Sequence, residues 1–332
     1  MQYIIREEEI MLKFLITGCS GFVGKHFLNY LEDNKIKSFV LGIDVVPLVL
    51  ERNYKNIKIS FTENDLMDKD KIQYIIYDFK PNYIIHLASY SSVAFSWQNP
   101  IISFQNNTNI FLNLLEAVKV SKGECRVLSI GSSEEYGNVT DDKIPLKEDY
   151  DLSPVSPYAV ARVAQELLSK VYVNGYGQDI IITRSFNNIG PGQRENFVIP
   201  SFAKQLVELK LQNKKEGEIV VGDISIIRDF LDIRDVVCAY YMLLMNGKSG
   251  EVYNVCSGNG YSLKQVIDMM GEILNIKVNI KVNKNLIRPN DNKIIIGAND
   301  KLKKDIGWEN KIAFKNTLCD IIEEWLSKLS NQ

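Results

Sequence analysis

Tyr158 and Arg162 open an apolar-periodic segment that begins at Pro157. Side chains four residues apart share one face of a helix, and proline is favoured in a helix's first turn. A phenol with pKa near 10 is a poor acid–base catalyst at neutral pH until a nearby cation stabilises its phenolate. A hydroxyl such as that of Ser132 could then bind the substrate oxygen. Such a trio suits hydride transfer at a carbinol carbon. A second chemical feature is Thr17-Gly18-Cys19-Ser20-Gly21-Phe22-Val23-Gly24, which follows an apolar strand-length run and opens a helical pattern. Its glycines allow a tight turn, close backbone approach to a pyrophosphate, and tight helix-on-strand packing, with the anion at the helix N-terminus. Asp44 ends the next apolar run, 20 residues past Gly24, the offset of a carboxylate that binds adenosine ribose hydroxyls. A carboxylate there repels a 2′-phosphate, which favours NAD(H) over NADP(H). Asp65 and Leu66, after the third strand, could contact the adenine. His86, at the end of the fourth, reads as a structural, hydrogen-bonded histidine.

The elements that must position these residues are legible as an alternation. Apolar strand runs at LKFLITG, SFVLGID, NIKISFTE, NYIIHLA, CRVLSIGS and DIIITRS are separated by helix-period segments, among them 22–34, 68–79, a long stretch to 120, and 157–174. Fully apolar strands between helices imply a parallel sheet covered on both faces, a doubly wound α/β arrangement. After Ser185 the rhythm breaks into the loop NNIGPGQRENFVIP. Short strands then mix with helices expected near 198–211, 233–246, 262–274 and 313–328, as in a smaller lobe threaded back against the sheet.

Composition narrows the function. The 332 residues carry 39 Lys+Arg against 41 Asp+Glu, a formal net charge of −2, without the basic footprint of a nucleic-acid binder. Five cysteines lie far apart with no Cys-x-x-Cys pair, and there are two histidines, an inventory that argues against a zinc site, a disulfide scaffold or a Ser-His-Asp triad. The opening residues hold no long apolar stretch, and Glu7-Glu8-Glu9 is unlike the basic start of a signal peptide. The expectation is a cytoplasmic protein without a membrane span, with Met11 a possible alternative start.

The chain resembles an extended short-chain dehydrogenase/reductase of the nucleotide-sugar type. The resemblance rests on TGCSGFVG at 17–24, HLAS at 86–89, GSSEEYG at 131–137, SPVSPYAVAR at 153–162, RSFNNIGPGQ at 184–193, RDFLDIRDVV at 228–237 and YNVCSG at 253–258. Several of these are most similar to the GDP-4-keto-6-deoxy-mannose reductases and their GDP-mannose 4,6-dehydratase relatives. It implies a Rossmann-type NAD-binding domain over 11–185, with segments near 229–257 returning to it, and a smaller α/β substrate lobe over 186–228 and 258–330. It makes Tyr158 the acid–base, Ser132 its hydroxyl partner, Glu134 the match to the dehydratase glutamate, and Arg162 the occupant of the family's lysine position. Arginine keeps that positive charge but cannot release a proton into a relay. NAD would be held by Gly18, Gly21, Phe22, Val23, Gly24, Asp44, Asp65, Leu66, Leu87 and Ala88, with Tyr158 and Arg162. A GDP-sugar would meet Ser91, Ser133, Asn187, Phe197 and Val198, with Arg228 and Arg288 as pyrophosphate ligands, since guanidinium forks match phosphate oxygens. No metal is expected. The helix stripes 101–120 and 157–173 resemble a four-helix homodimer interface. Hydride transfer at carbon 4 is the leading expectation, in either direction. The alternatives are 4,6-dehydration, or a nucleotide-sugar-binding homologue with chemistry impaired by Arg162.

Overall fold

The computed structural model describes residues 11–287 and 292–330. Strand β1 (Leu12–Thr17) leads into α1 (Phe22–Asp33), followed by β2 (Ser38–Asp44), β3 (Ile57–Glu63), α2 (Lys69–Phe79), β4 (Tyr83–His86), α3 (Val93–Gln98), α4 (Pro100–Ser121), β5 (Arg126–Ser132), α5 (Pro157–Tyr176) and β6 (Asp179–Ser185). Local chemistry sets several boundaries. Asp68 accepts from the Lys71 amide to start α2, Pro100 opens α4, and Ser156 accepts from the Ala159 amide ahead of Pro157 in α5, each a favoured helix-start device.

The second half runs β7 (Asn187–Ile189), α6 (Val198–Leu211), β8 (Glu216–Val221), β9 (Ile227–Asp232), α7 (Ile233–Asn246), β10 (Val252–Val255), β11 (Gly260–Ser262), α8 (Leu263–Leu274), β12 (Lys277–Val282), β13 (Ile294–Ile295), α9 (Asp300–Ile306) and α10 (Phe314–Ser330). Seven strands form one parallel sheet in the order β10-β6-β5-β4-β1-β2-β3. The strand order reverses between β1 and β4, and ligands of open parallel sheets lie at such a switch point, beyond the carboxyl ends of the strands. One apolar cluster packs α1 and α7 on the sheet; another packs α2, α4 and α5 on its other side.

In the smaller lobe, β9 pairs with β7, β11 and β13, β8 pairs with β12, and α6, α8 and α10 surround a third apolar cluster. The short strands β7, β11 and β13 and the helix α3 give no periodic signal of their own, being two to six residues long. Strand β10 returns to the large sheet beside β6. The stretch from 258 onward does not all stay with the smaller lobe: Leu302 and Ile306 of α9, with Trp308, join the α1–α7 cluster.

A buried ion pair ties α5 to β6. Arg184 donates through Nε to Glu166 Oε2 (2.9 Å) and through Nη2 to Oε1 (2.8 Å). Its guanidinium lies over the Tyr136 ring, and Tyr136 donates to Asn254 on β10. Removing one partner of such a pair strands a buried charge.

His86 lies under the sheet's carboxyl edge, its Nδ1 2.9 Å from Thr17 Oγ1 and its ring against Phe111. Burial first, and the Arg162 charge second, push the imidazole down to about 3. The unfolded chain binds a proton at this residue below about pH 6.5 and the folded chain does not, so this contribution is complete above 6.5 and is lost as pH falls. Between pH 7 and 5 the wild type should lose roughly 2 kcal/mol more unfolding free energy than His86→Gln. Urea titrations at the two pH values check this, and equal losses would refute it.

Candidate active site

Beyond the carboxyl edge of β1, β2, β4, β5 and β6 lies a cleft of 1310 Å³ that also reaches the smaller lobe. At one end is the glycine turn. Gly18 has φ +71°, and a Cβ there would stand 2.7 Å from the Ala88 nitrogen, whereas one at Gly21 would meet only Gly18 O, at 3.2 Å. A Cβ at Gly24 would lie 2.5 Å from Cys19 O, so this glycine lets the first turn of α1 pack against the backbone of the turn before it, and it does not line the cleft. No side chain caps α1, and Gly21, Phe22 and Val23 face the cleft. An uncapped helix N-terminus with bare backbone before it fits a dinucleotide pyrophosphate. Asp44 lines the same end, its carboxylate accepting from the amides of Ser20 (3.0 Å) and Val46 (3.1 Å). Asp65, Leu66, Leu87, Ala88 and Ser91 also line it, Asp65 accepting from the Met67 amide.

At the floor, β5 delivers Ser132 and the first turn of α5 delivers Tyr158. Ser132 Oγ accepts from the Glu134 amide (3.3 Å), and the Ser132 amide donates to Glu135 Oε1 (2.6 Å). Ser133 and Glu134 line the cleft. Glu135 is fully buried, and burial, then the neighbouring Glu166, push its carboxyl up. Tyr158 is 7% exposed. The Arg162 guanidinium lies 5.2 Å from its ring centroid, a cation–π distance, and Arg162 Nη1 donates to Ile130 O (3.0 Å) and Gln165 Oε1 (2.6 Å). The arrangement places a phenol, a hydroxyl and a fixed cation beside one another at the sheet edge.

The lobe side carries Asn187, Phe197 and Val198. Asn187 donates to Asp229 O (3.1 Å), and Phe197 precedes α6. The loop between them is tied on two sides: His26 Nε2 lies 2.9 Å from Pro191 O, and the Gly192 amide donates to Glu324 (2.8 Å). Arg228 is buried on β9, its Nη1 donating to Ile227 O, and it is not among the residues that line the cleft. Arg288 lies outside the described residues.

Sequence reading passed over several cleft residues. Ser185 and Tyr240 meet at 2.7 Å; Ser185 could have been found at the carboxyl end of its strand, whereas Tyr240 sits in an apolar helix that reads as core. Glu324 and Lys328 reach the cleft from α10, and no local pattern distinguishes them from a solvated face. Among the described residues there is no cluster of three or more His, Cys, Asp or Glu able to hold a metal, and no helix is long and apolar enough to cross a membrane.

A seven-stranded parallel sheet, a glycine turn under an uncapped helix and a Ser-Tyr-Arg floor define an enzyme of the extended short-chain dehydrogenase/reductase class. Within it, the chain belongs to the family described as GDP-mannose 4,6 dehydratase, which matches residues 15–321. It is 32% identical to GDP-6-deoxy-D-mannose reductase of Pseudomonas aeruginosa over 96% of this chain and 99% of that one. It is 30% identical to GDP-6-deoxy-D-talose 4-dehydrogenase of Aggregatibacter actinomycetemcomitans, over 96% and 98%. Among solved structures it is similar to RMD from Pseudomonas aeruginosa complexed with NADPH (TM-score 0.81, 31% identity, 96% of this chain and 100% of that one). It is also similar to UDP-glucose 4-epimerase of Thermotoga maritima with UDP-glucose (TM-score 0.85, 26% identity, 96% and 100%).

Gly24→Ala tests the packing of the glycine turn. The added methyl must push the first turn of α1 from the Cys19 backbone by some tenths of an ångström or more, so the variant should melt several degrees lower and bind NAD at least tenfold more weakly. Thermal melts with and without NAD report both, and unchanged values would refute this account of the turn.

Proposed function

We propose that this enzyme is an NAD(H)-dependent oxidoreductase that transfers hydride at carbon 4 of a GDP-linked, manno-configured sugar. The observation that carries the reading is the juxtaposition of Tyr158 with Ser132 and Arg162 at the cleft floor. It is supported by two relatives at 30% identity or above that are named for GDP-6-deoxy sugars.

The bound nicotinamide supplies or accepts the hydride. Tyr158 gives a proton to the carbonyl oxygen in reduction and takes it from the carbinol in oxidation. Ser132 Oγ, held in place by the Glu134 amide, donates a hydrogen bond to the same oxygen. Arg162 stabilises the phenolate by charge alone, because a guanidinium does not give up its proton at any working pH. The proton therefore leaves Tyr158 by water or a hydroxyl other than residue 162.

The solved Pseudomonas relative carries NADPH. In this chain, Asp44 is anchored by two amides at the ribose end of the cleft, where its charge repels a 2′-phosphate and accepts the ribose hydroxyls of NAD. Residues 11–185 with the returning β10 form the cofactor half, and Asn187, Phe197 and Val198 face the sugar nucleotide from the other half. Arg228 and Arg288 remain the proposed pyrophosphate ligands. Glu134 lines the same cleft and the family carries a dehydratase name, which favours 4,6-dehydration as the second reading.

Exposed apolar residues on α5, Val160 (43%), Leu167 (52%) and Val171 (57%), lie one and two turns apart, and Ile101 on α4 is 70% exposed. A second copy of this chain, pairing α4 and α5 with their counterparts, would cover them. Leu167→Asp with Val171→Asp should halve the mass seen by light scattering, and an unchanged mass would refute the dimer.

The activity is tested by a panel of GDP-, UDP-, CDP- and dTDP-sugars, following reduced-nicotinamide absorbance and product mass. Turnover confined to GDP-sugars with a two-dalton change is expected. Loss of water as the sole product would favour dehydration, and no turnover with any sugar would overturn the enzyme reading. Tyr158→Phe should lower kcat by roughly 10²–10⁴-fold while leaving NAD binding intact.

A further inference from the structure

Arg162 is 4% exposed, and a buried guanidinium with five donors and no acceptor must be given partners if it is to stay in one orientation. Its own helix supplies one. Gln165, three residues on and 1% exposed, faces it with Oε1 at 2.6 Å from Nη1. The orientation of that amide is dictated by chemistry. Arginine offers only donors, so the oxygen must point to it, and the Nε2 side then donates to Ile130 O (3.0 Å) and to Ser129 Oγ (2.9 Å). Flipping the amide would set donor against donor and oxygen against carbonyl.

The hydroxyls complete the direction of the chain. Ser169 Oγ donates to Gln165 O (2.9 Å) and lies 3.2 Å from Ser129 Oγ. Ser129 Oγ on β5 thus accepts from Gln165 Nε2 and lies within donating reach of Ser169 Oγ, two links between α5 and β5. Ile130 O receives both Arg162 Nη1 and Gln165 Nε2. Two side chains therefore converge on one carbonyl two residues before Ser132, on the strand that delivers that serine to the cleft. Arg162 Nε keeps no hydrogen-bond partner, so the Nη1 hydrogen bonds and the Tyr158 ring contact orient the guanidinium.

We infer that Gln165 is a positioning residue for the reaction, holding the Arg162 guanidinium at the height of the Tyr158 ring and locking it to the β5 backbone. This rests on the catalytic reading of Tyr158 and Arg162. The reach of arginine is why such a clamp matters: its long side chain has many rotamers, and without the Gln165 oxygen the guanidinium keeps only the Ile130 carbonyl as a hydrogen-bond anchor and loses precision in its alignment with the phenol. Gln165 itself is not among the cleft-lining residues.

The test is a double-mutant cycle in the oxidative direction, with NAD and GDP-6-deoxy-D-mannose. Gln165→Leu should lower kcat roughly tenfold with KM within about twofold, the size expected from losing one hydrogen bond to a charged group. It should also move the acidic limb of the kcat profile to higher pH, because a cation out of alignment stabilises the phenolate less. In an Arg162→Lys background the guanidinium is gone, and Gln165→Leu should then cost less than twofold. An equal tenfold cost in both backgrounds, or a lowered melting temperature with unchanged kcat and pH profile, would overturn the inference. Should the leucine variant not fold, Gln165→Met keeps the length and apolar volume and is read by the same criteria. Tyr158→Phe is run alongside: if it retains activity the catalytic reading itself fails, whereas its inactivity beside an unaffected Gln165→Leu sinks only the role of Gln165.

Discussion

The close approach of the first helix to the turn that precedes it governs the cofactor half of this enzyme. The first turn of α1 lies so close to that backbone that a single methyl at Gly24 would come within 2.5 Å of Cys19 O. Neighbouring strands share the crowding, since a Cβ at Gly42 on β2 would stand 2.5 Å from Cys19 Sγ. The Cys19 thiol is buried, and burial pushes it up to about 12, so it acts as a small apolar filler in this contact and not as a nucleophile. Because its N-cap residue is Gly21, the N-terminus of α1 arrives uncapped at the sheet edge, in the same cleft as Asp44 and Ala88. Binding there depends on atoms that are missing as much as on atoms that are present.

The chemical end of the cleft is built the opposite way, from charges taken out of water and matched. Arg184 and Glu166 pair across α5 and β6. Arg162 is held by a strand carbonyl and by Gln165. Glu135 accepts the Ser132 amide while burial and Glu166 hold its carboxyl toward the neutral form. Buried charge tolerates little displacement, because each group that moves leaves another unsatisfied. That rigidity keeps Ser132 and Tyr158 in register although they come from different elements. His86, next to this region, is kept neutral by the same burial and by Arg162, so it adds no second cation beneath the cleft.

The two halves meet at the loop from Asn187 to Phe197. His26 of α1 holds it at Pro191, and Glu324 of α10 holds it at Gly192. This segment is thus anchored at once by α1 and by α10, on two sides of the cleft. It also explains why the chain's last helix contributes Glu324 and Lys328 to the cleft.

Local signals were enough for the first half of the fold apart from the six-residue α3. Strand alternation, the proline and serine at the start of α5 and the glycine turn are short-range features, and β2 and β6 run from Ser38–Asp44 and Asp179–Ser185, the stretches expected from their apolar runs. Pairing Tyr158 with Arg162 likewise needs only the 3.6-residue helical repeat. Tertiary structure alone decided the rest. The short strands around β9 have no periodicity to read, and they exist because a long-range partner completes their hydrogen bonds. The return of β10 to the large sheet and of α9 to its core depends on contacts between residues far apart in sequence. The same is true of the inward turn of Arg228 and of the cleft residues from α7 and α10. In the sequence Gln165 is an unremarked polar residue in a helix; its role emerges only when β5 brings Ile130 O and Ser129 to it, because a hydrogen-bond partner is a matter of position in space and not of residue type.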